Sequence, residues 1–335
     1  MHSERDDLDR RGFLSYVCAA AAAGGAAATV APARDAAPAE PGKVADPSAR
    51  PAQPLPTGKI GKLELSRLML GTNHITFYMH SRDLRYVDDL SRAYNSDEKI
   101  LETFATAEAN GINTFVTHQD AKIAALFKRH RAGGGKLRWV VAPWLDEDGR
   151  VTEPSHYVRV VPKLVDQGVD ALYVPGMIAG EMVKKGAGPQ IADMLETIRA
   201  AGLPAGVACH ELFVVEHCEK HKLPVDFYVK TFHHLRYPSA PKPENMKGDY
   251  AEVPGYWCSN PDQTAAFMKT VAKPWIAFKV MAAGAIPPQD AFHYAYHNGA
   301  DFILAGMFDF QIASDCQIAR DQIAQAAKRP RPWCA

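Results

Sequence analysis

Short apolar runs rich in β-branched and aromatic residues alternate along this chain with longer segments of helical period, and that alternation predicts a parallel sheet with crossover helices. Strands are expected at 65–72, 113–118, 137–144, 171–174, 205–209, 226–232, 275–280 and 302–304. Helices are expected from the capping run Ser96-Asp97-Glu98 to Gly111, and at 121–130, 154–167, 189–201, 212–221, 262–271, 288–298 and 312–325. Capping side chains open such segments, and glycines such as Gly168 and Gly202 close them. Eight strand–helix pairs place the chain in the α/β class as a (β/α)₈ TIM barrel. One stretch breaks the rhythm: residues 237–261 are rich in Pro, Gly, Lys and aromatics and form an insertion after the sixth strand. Strand-to-helix loops gather at one end of such a barrel, so this insertion is expected over the mouth, with Tyr250, Tyr256 and Trp257 on the ligand wall.

The amino-terminal stretch has no such rhythm. Arg10-Arg11-Gly12-Phe13-Leu14 precedes an alanine-rich run, and Ala31-Pro32-Ala33 supplies a small-x-small cleavage site. Residues 1–33 therefore read as a twin-arginine signal peptide, with the twin-arginine export machinery as a partner and an exported, periplasmic or extracytoplasmic location. The apolar run is too short and too weakly hydrophobic for a transmembrane anchor, so an integral membrane protein is not expected. Residues 34–56, built from Ala, Pro and short polar side chains, are expected to be a disordered linker, which leaves 57–335 for one barrel.

Charge and cysteine content narrow the partners. Lys plus Arg total 38 and Asp plus Glu total 38, with no basic or acidic block, so nucleic acid is not an expected partner and a small-molecule ligand is. Of 6 cysteines, Cys18 lies in the leader, and Cys209, Cys218, Cys258, Cys316 and Cys334 are spread too thinly for a disulfide framework.

Several segments, read in order, resemble the aldo/keto reductase superfamily. Gly61-Lys62-Leu63-Glu64-Leu65-Ser66-Arg67-Leu68-Met69-Leu70-Gly71-Thr72 resembles its first strand, and Gly111-Ile112-Asn113-Thr114-Phe115 the run into its second. Residues 202–210, Pro224-Val225-Asp226-Phe227-Tyr228 and Lys279-Val280-Met281-Ala282-Ala283-Gly284 resemble its fifth, sixth and seventh strands. The resemblance implies a catalytic Asp, Tyr, Lys and His, yet Val116 stands at the Asp position and no tyrosine follows in 119–126. Strand three ends in Pro143-Trp144 and strand four in Pro175-Gly176, where Lys and His are implied. Loss of the general acid removes a factor of about 10²–10⁴ from carbonyl reduction.

Other chemistry is then sought at the carboxyl ends of the strands, where barrel enzymes place their working groups. The candidate catalytic residues are His118, His210, Lys230, His233 and Lys279, the two lysines being read as interior groups able to act as base or Schiff-base nucleophile. Asn73, His74, Trp144 and Asp309 join Tyr256 and Trp257 as candidate substrate contacts. Gly284 and Gly306 fall where many barrels bind phosphate and are the candidate cofactor contacts for NAD(P). No metal site is expected, although His118, His210 and His233 are types that bind zinc. The leading reading is an exported small-molecule enzyme acting on a carbonyl or sugar substrate by His/Lys acid–base chemistry. An NAD(P)-dependent oxidoreductase with a non-standard active site and a non-catalytic ligand-binding barrel are the alternatives.

Overall fold

Thr57–Ile60 (β1) and Leu63–Ser66 (β2) form an antiparallel hairpin around Gly61, whose φ of 58° suits the tight turn. The computed structural model describes residues 54–80, 84–144, 153–242 and 258–334. The predicted leader and linker, and Tyr250, Tyr256 and Trp257 of the insertion, lie outside the described residues.

Eight further strands close into a parallel barrel: Leu68–Gly71 (β3), Thr114–His118 (β4), Arg138–Ala142 (β5), Ala171–Val174 (β6), Ala205–Cys209 (β7), Phe227–Thr231 (β8), Trp275–Phe278 (β9) and Phe302–Gly306 (β10). β10 pairs with β3 through Gly306↔Gly71, which completes the ring. Ten α-helices are described: Arg85–Tyr94 (α1), Asp97–Ala109 (α2), Ala121–Ala132 (α3), Pro154–Asp166 (α4), Gly176–Lys184 (α5), Gly188–Ala200 (α6), Leu212–Lys220 (α7), Pro261–Met268 (α8), Pro288–His297 (α9) and Asp309–Gln325 (α10). The capping chemistry read from the sequence is present: Ser96 Oγ accepts from Lys99 N at 3.2 Å and Asp120 Oδ1 from Ile123 N at 2.8 Å.

Alternation along each strand sorts the apolar side chains into two cores. Met69, Val116, Val140, Ala171, Val229 and Ile276 fill the barrel interior, and Ile60 and Leu65 of the hairpin join them, so the hairpin stoppers the amino-terminal end. The outward residues pack against the helices. Phe115 and Trp139, cross-strand neighbours, stack at 5.8 Å and meet Phe127 of α3.

The carboxyl-terminal segment is tied to the barrel at Asp301, which is fully buried. Its carboxylate accepts from Arg329 at 2.9 Å, Arg331 at 2.7 Å, Trp275 N at 3.0 Å and Cys334 N at 2.9 Å. Arg67 and Arg329 also lie over the Trp333 ring, at 3.9 and 3.4 Å from its centroid.

Besides strand β1, which was not expected, sequence and structure differ in three places. The first strand, expected at 65–72, is split between β2 and β3 at Arg67. Two helices, α1 and α5, were not expected. The seventh barrel strand, expected to run to 280, stops at Phe278 because Lys279 turns to φ 57°, a left-handed conformation no strand contains. Among the described residues no helix is long and apolar enough to cross a membrane.

Candidate active site

At the carboxyl ends of the strands the side chains form two walls. The first is aromatic. His118 ends β4 on the same face as Val116, and its ring lies 4.6 Å from that of Tyr78 and 6.4 Å from that of Trp144. Burial lowers the His118 pKa, with Asp120 opposing the shift. Tyr78, half exposed, comes from the loop after β3, and the sequence reading missed it.

The second wall carries nitrogen bases. Lys279 Nζ lies 2.5 Å from His80 Nε2 and 5.7 Å from the Phe278 ring centroid. His210, just past β7, shares a hydrogen bond between Nδ1 and Thr231 Oγ1 at 2.8 Å, with its ring 5.5 Å from that of Phe278. Burial pushes the Lys279 ammonium well below its ordinary range. Burial also drives His80 down to about 3, and the Lys279 charge adds to the fall. His210 is held well below the usual imidazole range by burial first and then by Lys279, Lys230 and His80. Each shift favours the uncharged base at neutral pH. A cavity of about 310 Å³ opens beside this wall, lined by His80, Leu84, Val87, Ser239, Ala283 and their neighbours Gly284 and Ala285. His80 was also missed, because it lies in a loop eight residues beyond the last predicted strand residue, where no pattern places it.

His233 continues the inward series of Val229 and Thr231 and is buried. Its Nδ1 pairs with His234 O at 3.0 Å, while Nε2 has no partner among the described residues, and burial lowers its pKa to about 4. His234 turns the other way: Nε2 lies 3.0 Å from Asp290 Oδ2 and Nδ1 accepts from Arg236 N.

Other expected residues are placed elsewhere. The expectation that Lys230 lies in the barrel interior is corrected. It alternates with inward Val229 and Thr231, and its Nζ donates to His210 O at 2.7 Å and Thr231 O at 2.8 Å, so it ties the ends of β7 and β8 together from outside. Asp309 does pair with a lysine, but with Lys99 of α2 at 3.2 Å, and it also accepts from Tyr94 at 2.5 Å. His74 is buried edge-on to Phe308, with its pKa lowered to about 4 by burial, and Asn73 is exposed.

The two candidate cofactor glycines do not share a site. Gly284 lines the cavity at φ 87°, whereas a Cβ on Gly306 would sit 3.3 Å from His74 Nδ1, so glycine there serves close packing. Neither loop offers a ready phosphate cradle. The amides of Ala282, Gly284, Ala285 and Ile286 donate to carbonyls within their own turn. The amino-terminal end of α10 already carries the Asp309 carboxylate, whose charge opposes a second anion there. The residues present therefore do not fit the phosphates of a nicotinamide dinucleotide at these loops. Among the described residues no group of three or more His, Cys, Asp or Glu is arranged to hold a metal ion.

No protein-family model matches the sequence, and no curated protein matches it. Solved structures do match. A protein from Pseudomonas aeruginosa described as an aldo-keto reductase superposes with a TM-score of 0.55 at 16% identity, covering 80% of this chain and 94% of that one. An aldo/keto reductase from Brucella melitensis superposes at 0.51 and 10% identity, covering 82% and 99%. An aldo-keto reductase from a deep-sea metagenome library gives 0.51 and 10%, covering 81% and 94%. At these identities the likeness is one of fold, and the closed ring of eight parallel strands agrees with it: the chain is a (β/α)₈ barrel similar in fold to these aldo-keto reductase structures.

Proposed function

We propose that this chain is an exported enzyme that acts on a small carbonyl or sugar substrate by proton transfer at the base-bearing wall, with Lys279 and His210 as the catalytic bases and His80 beside them. The observation that carries the reading is the 2.5 Å approach of Lys279 Nζ to His80 Nε2 at the edge of a cavity, in surroundings that favour the neutral forms of both. A neutral amine is the stronger base of the pair and is positioned to take a proton from a carbon next to a carbonyl; the imidazoles relay it. The aromatic wall of Tyr78, His118 and Trp144 supplies ring faces and edges against which a sugar or short carbon chain would pack.

The test follows turnover of a panel of aldehydes, ketones and reducing sugars by proton exchange in D₂O, with and without NADPH. Lys279→Met and His210→Gln are expected to lower exchange by about 10²-fold or more with an unchanged melting temperature. Exchange that survives both substitutions would remove the reading, and NADPH consumption in place of exchange would favour a redox reaction. Export is tested separately. Replacing Arg10 and Arg11 by lysine should retain the full-length chain in the cytoplasm, whereas the parent is recovered outside it as a shortened form.

A further inference from the structure

Resting on the reading above, we propose that Lys279 is a nucleophile as well as a base: it captures an aldehyde or ketone covalently as an imine, with His80 handling the protons. Three features of the geometry converge on this residue. The amine has a hydrogen-bond partner in place, His80 Nε2, at 2.5 Å. It stands beside a cavity of about 310 Å³ whose wall includes His80 and the Ala283-Gly284 turn that follows it, room for a small organic molecule. Its backbone is held at φ 57°, and Ala282 and Ala283 also lie in the left-handed region at 46° and 58°. Non-glycine residues persist there only where surrounding structure imposes the strain, and such strain gathers at working sites. Here Ala282 N bonds to Lys279 O at 3.0 Å and Ile286 N to Met281 O at 3.0 Å, so the turn fixes where the side chain starts.

Lys230 is the contrasting case. Its ammonium is spent on two carbonyls and is fully buried, which leaves it no approach to a ligand. Lys279 is only partly covered. Burial that favours its free amine makes it the more nucleophilic of the two.

The step balances without an oxidant or reductant. The Nζ lone pair attacks the carbonyl carbon, a C–N bond forms, and the π pair of C=O moves to oxygen. Nζ gives one proton to His80 Nε2, which returns it to that oxygen, yielding a carbinolamine. A proton from solvent then lets the oxygen depart as water, the C–O bond breaks, and a protonated C=N bond remains. Amine, carbonyl compound and one proton thus become iminium and water. The positive charge on nitrogen acidifies the neighbouring C–H, whose proton a neutral imidazole on the same wall, His210, would take.

The test uses the full chain with glycolaldehyde and sodium cyanoborohydride at pH 7, followed by peptide mapping by mass spectrometry. An ordinary lysine is about 0.04% free amine at this pH. Lys279 should therefore be alkylated at least about 10-fold faster than the exposed Lys59 and Lys128. A rate at or below theirs overturns the proposal. His80→Gln should slow capture at Lys279 while leaving Lys59 unchanged, and no slowing would remove His80 from the step. Wild-type exchange that needs Lys279 but yields no adduct would sink covalent capture and leave the acid–base reading standing. An adduct without exchange would do the reverse.

Discussion

Replacing Asp301 by alanine removes one carboxylate and strands two guanidinium groups at once. Both oxygens are in use: Oδ1 takes Arg329 and the Cys334 amide, Oδ2 takes Arg331 and the Trp275 amide, and the side chain has no exposure. Removing one partner of a buried pair costs about 3–5 kcal/mol, because the remaining charge stays out of water without compensation. Two features of this site pull against each other. Two arginines lose their counter-charge, which raises the cost, but Arg331 keeps carbonyl acceptors at Met268, Gly299, Val271 and Lys273 and Arg329 keeps those at Tyr296, Ala300 and Pro332, which lowers it. The middle of the range, about 4 kcal/mol, is therefore expected. At about 2 °C per kcal/mol for a domain of this size, the melting temperature should fall by about 8 °C in scanning calorimetry. Asp301→Asn, which retains one acceptor, should fall by less. A drop under about 2 °C for the alanine variant would mean that the backbone carbonyls alone hold the arginines and that the carboxylate does not organise the carboxyl-terminal segment.

Two further outcomes follow from buried titratable groups. Asp315, 4% exposed on α10, has its pKa raised to about 6 by burial. The folded state then binds the proton more tightly than the unfolded chain, so this group's contribution to stability declines as pH rises from about 4 to 6. Asp315→Asn should stabilise the protein at pH 7.5 by up to about 3 kcal/mol and have little effect at pH 4, read from denaturant titrations; equal effects at both pH values would refute it. His74 and His233 have the opposite sign. Their pKa values, lowered to about 4, mean that the unfolded chain binds protons more readily, so the stability they confer at neutral pH is lost as pH falls from about 6.5 to 4. The double variant His74→Gln/His233→Gln should flatten the stability–pH curve across that window, and a curve of unchanged slope would count against the burial argument.

The barrel was legible because its strands are buried on both faces and its helices are amphipathic, so periodicity located most of them to within a few residues. Residues 171–174 and 205–209 were read with the boundaries the structure gives. Helix α1 was passed over although Tyr86, Leu90 and Tyr94 recur at helical spacing; that stripe is largely exposed, and the one buried residue is Ser91, held by a hydrogen bond to His74 O. Helix α5 hid behind Gly176, where a Cβ would press to 3.2 Å on the Cys209 backbone; a glycine demanded by close packing reads in sequence as a loop. The site was legible only in part. Strand ends and parity pointed to His118 and His210; Lys279 was read inside the seventh strand, and only its left-handed turn past Phe278 brings it to the mouth. Tyr78 and His80 were not legible, because a loop's path across the mouth depends on contacts with Trp144 and Lys279, far away in the chain.

That loop joins the two walls of the mouth. Tyr78 and His80 are two residues apart on one segment, yet Tyr78 meets the aromatic groups after β4 and β5 while His80 meets the amine after β9. A ligand that shifted Tyr78 would act on a residue only two positions from His80, the amine's partner. Under the proposed function, ligand packing on the aromatic wall and proton transfer at the amine would share one short piece of chain.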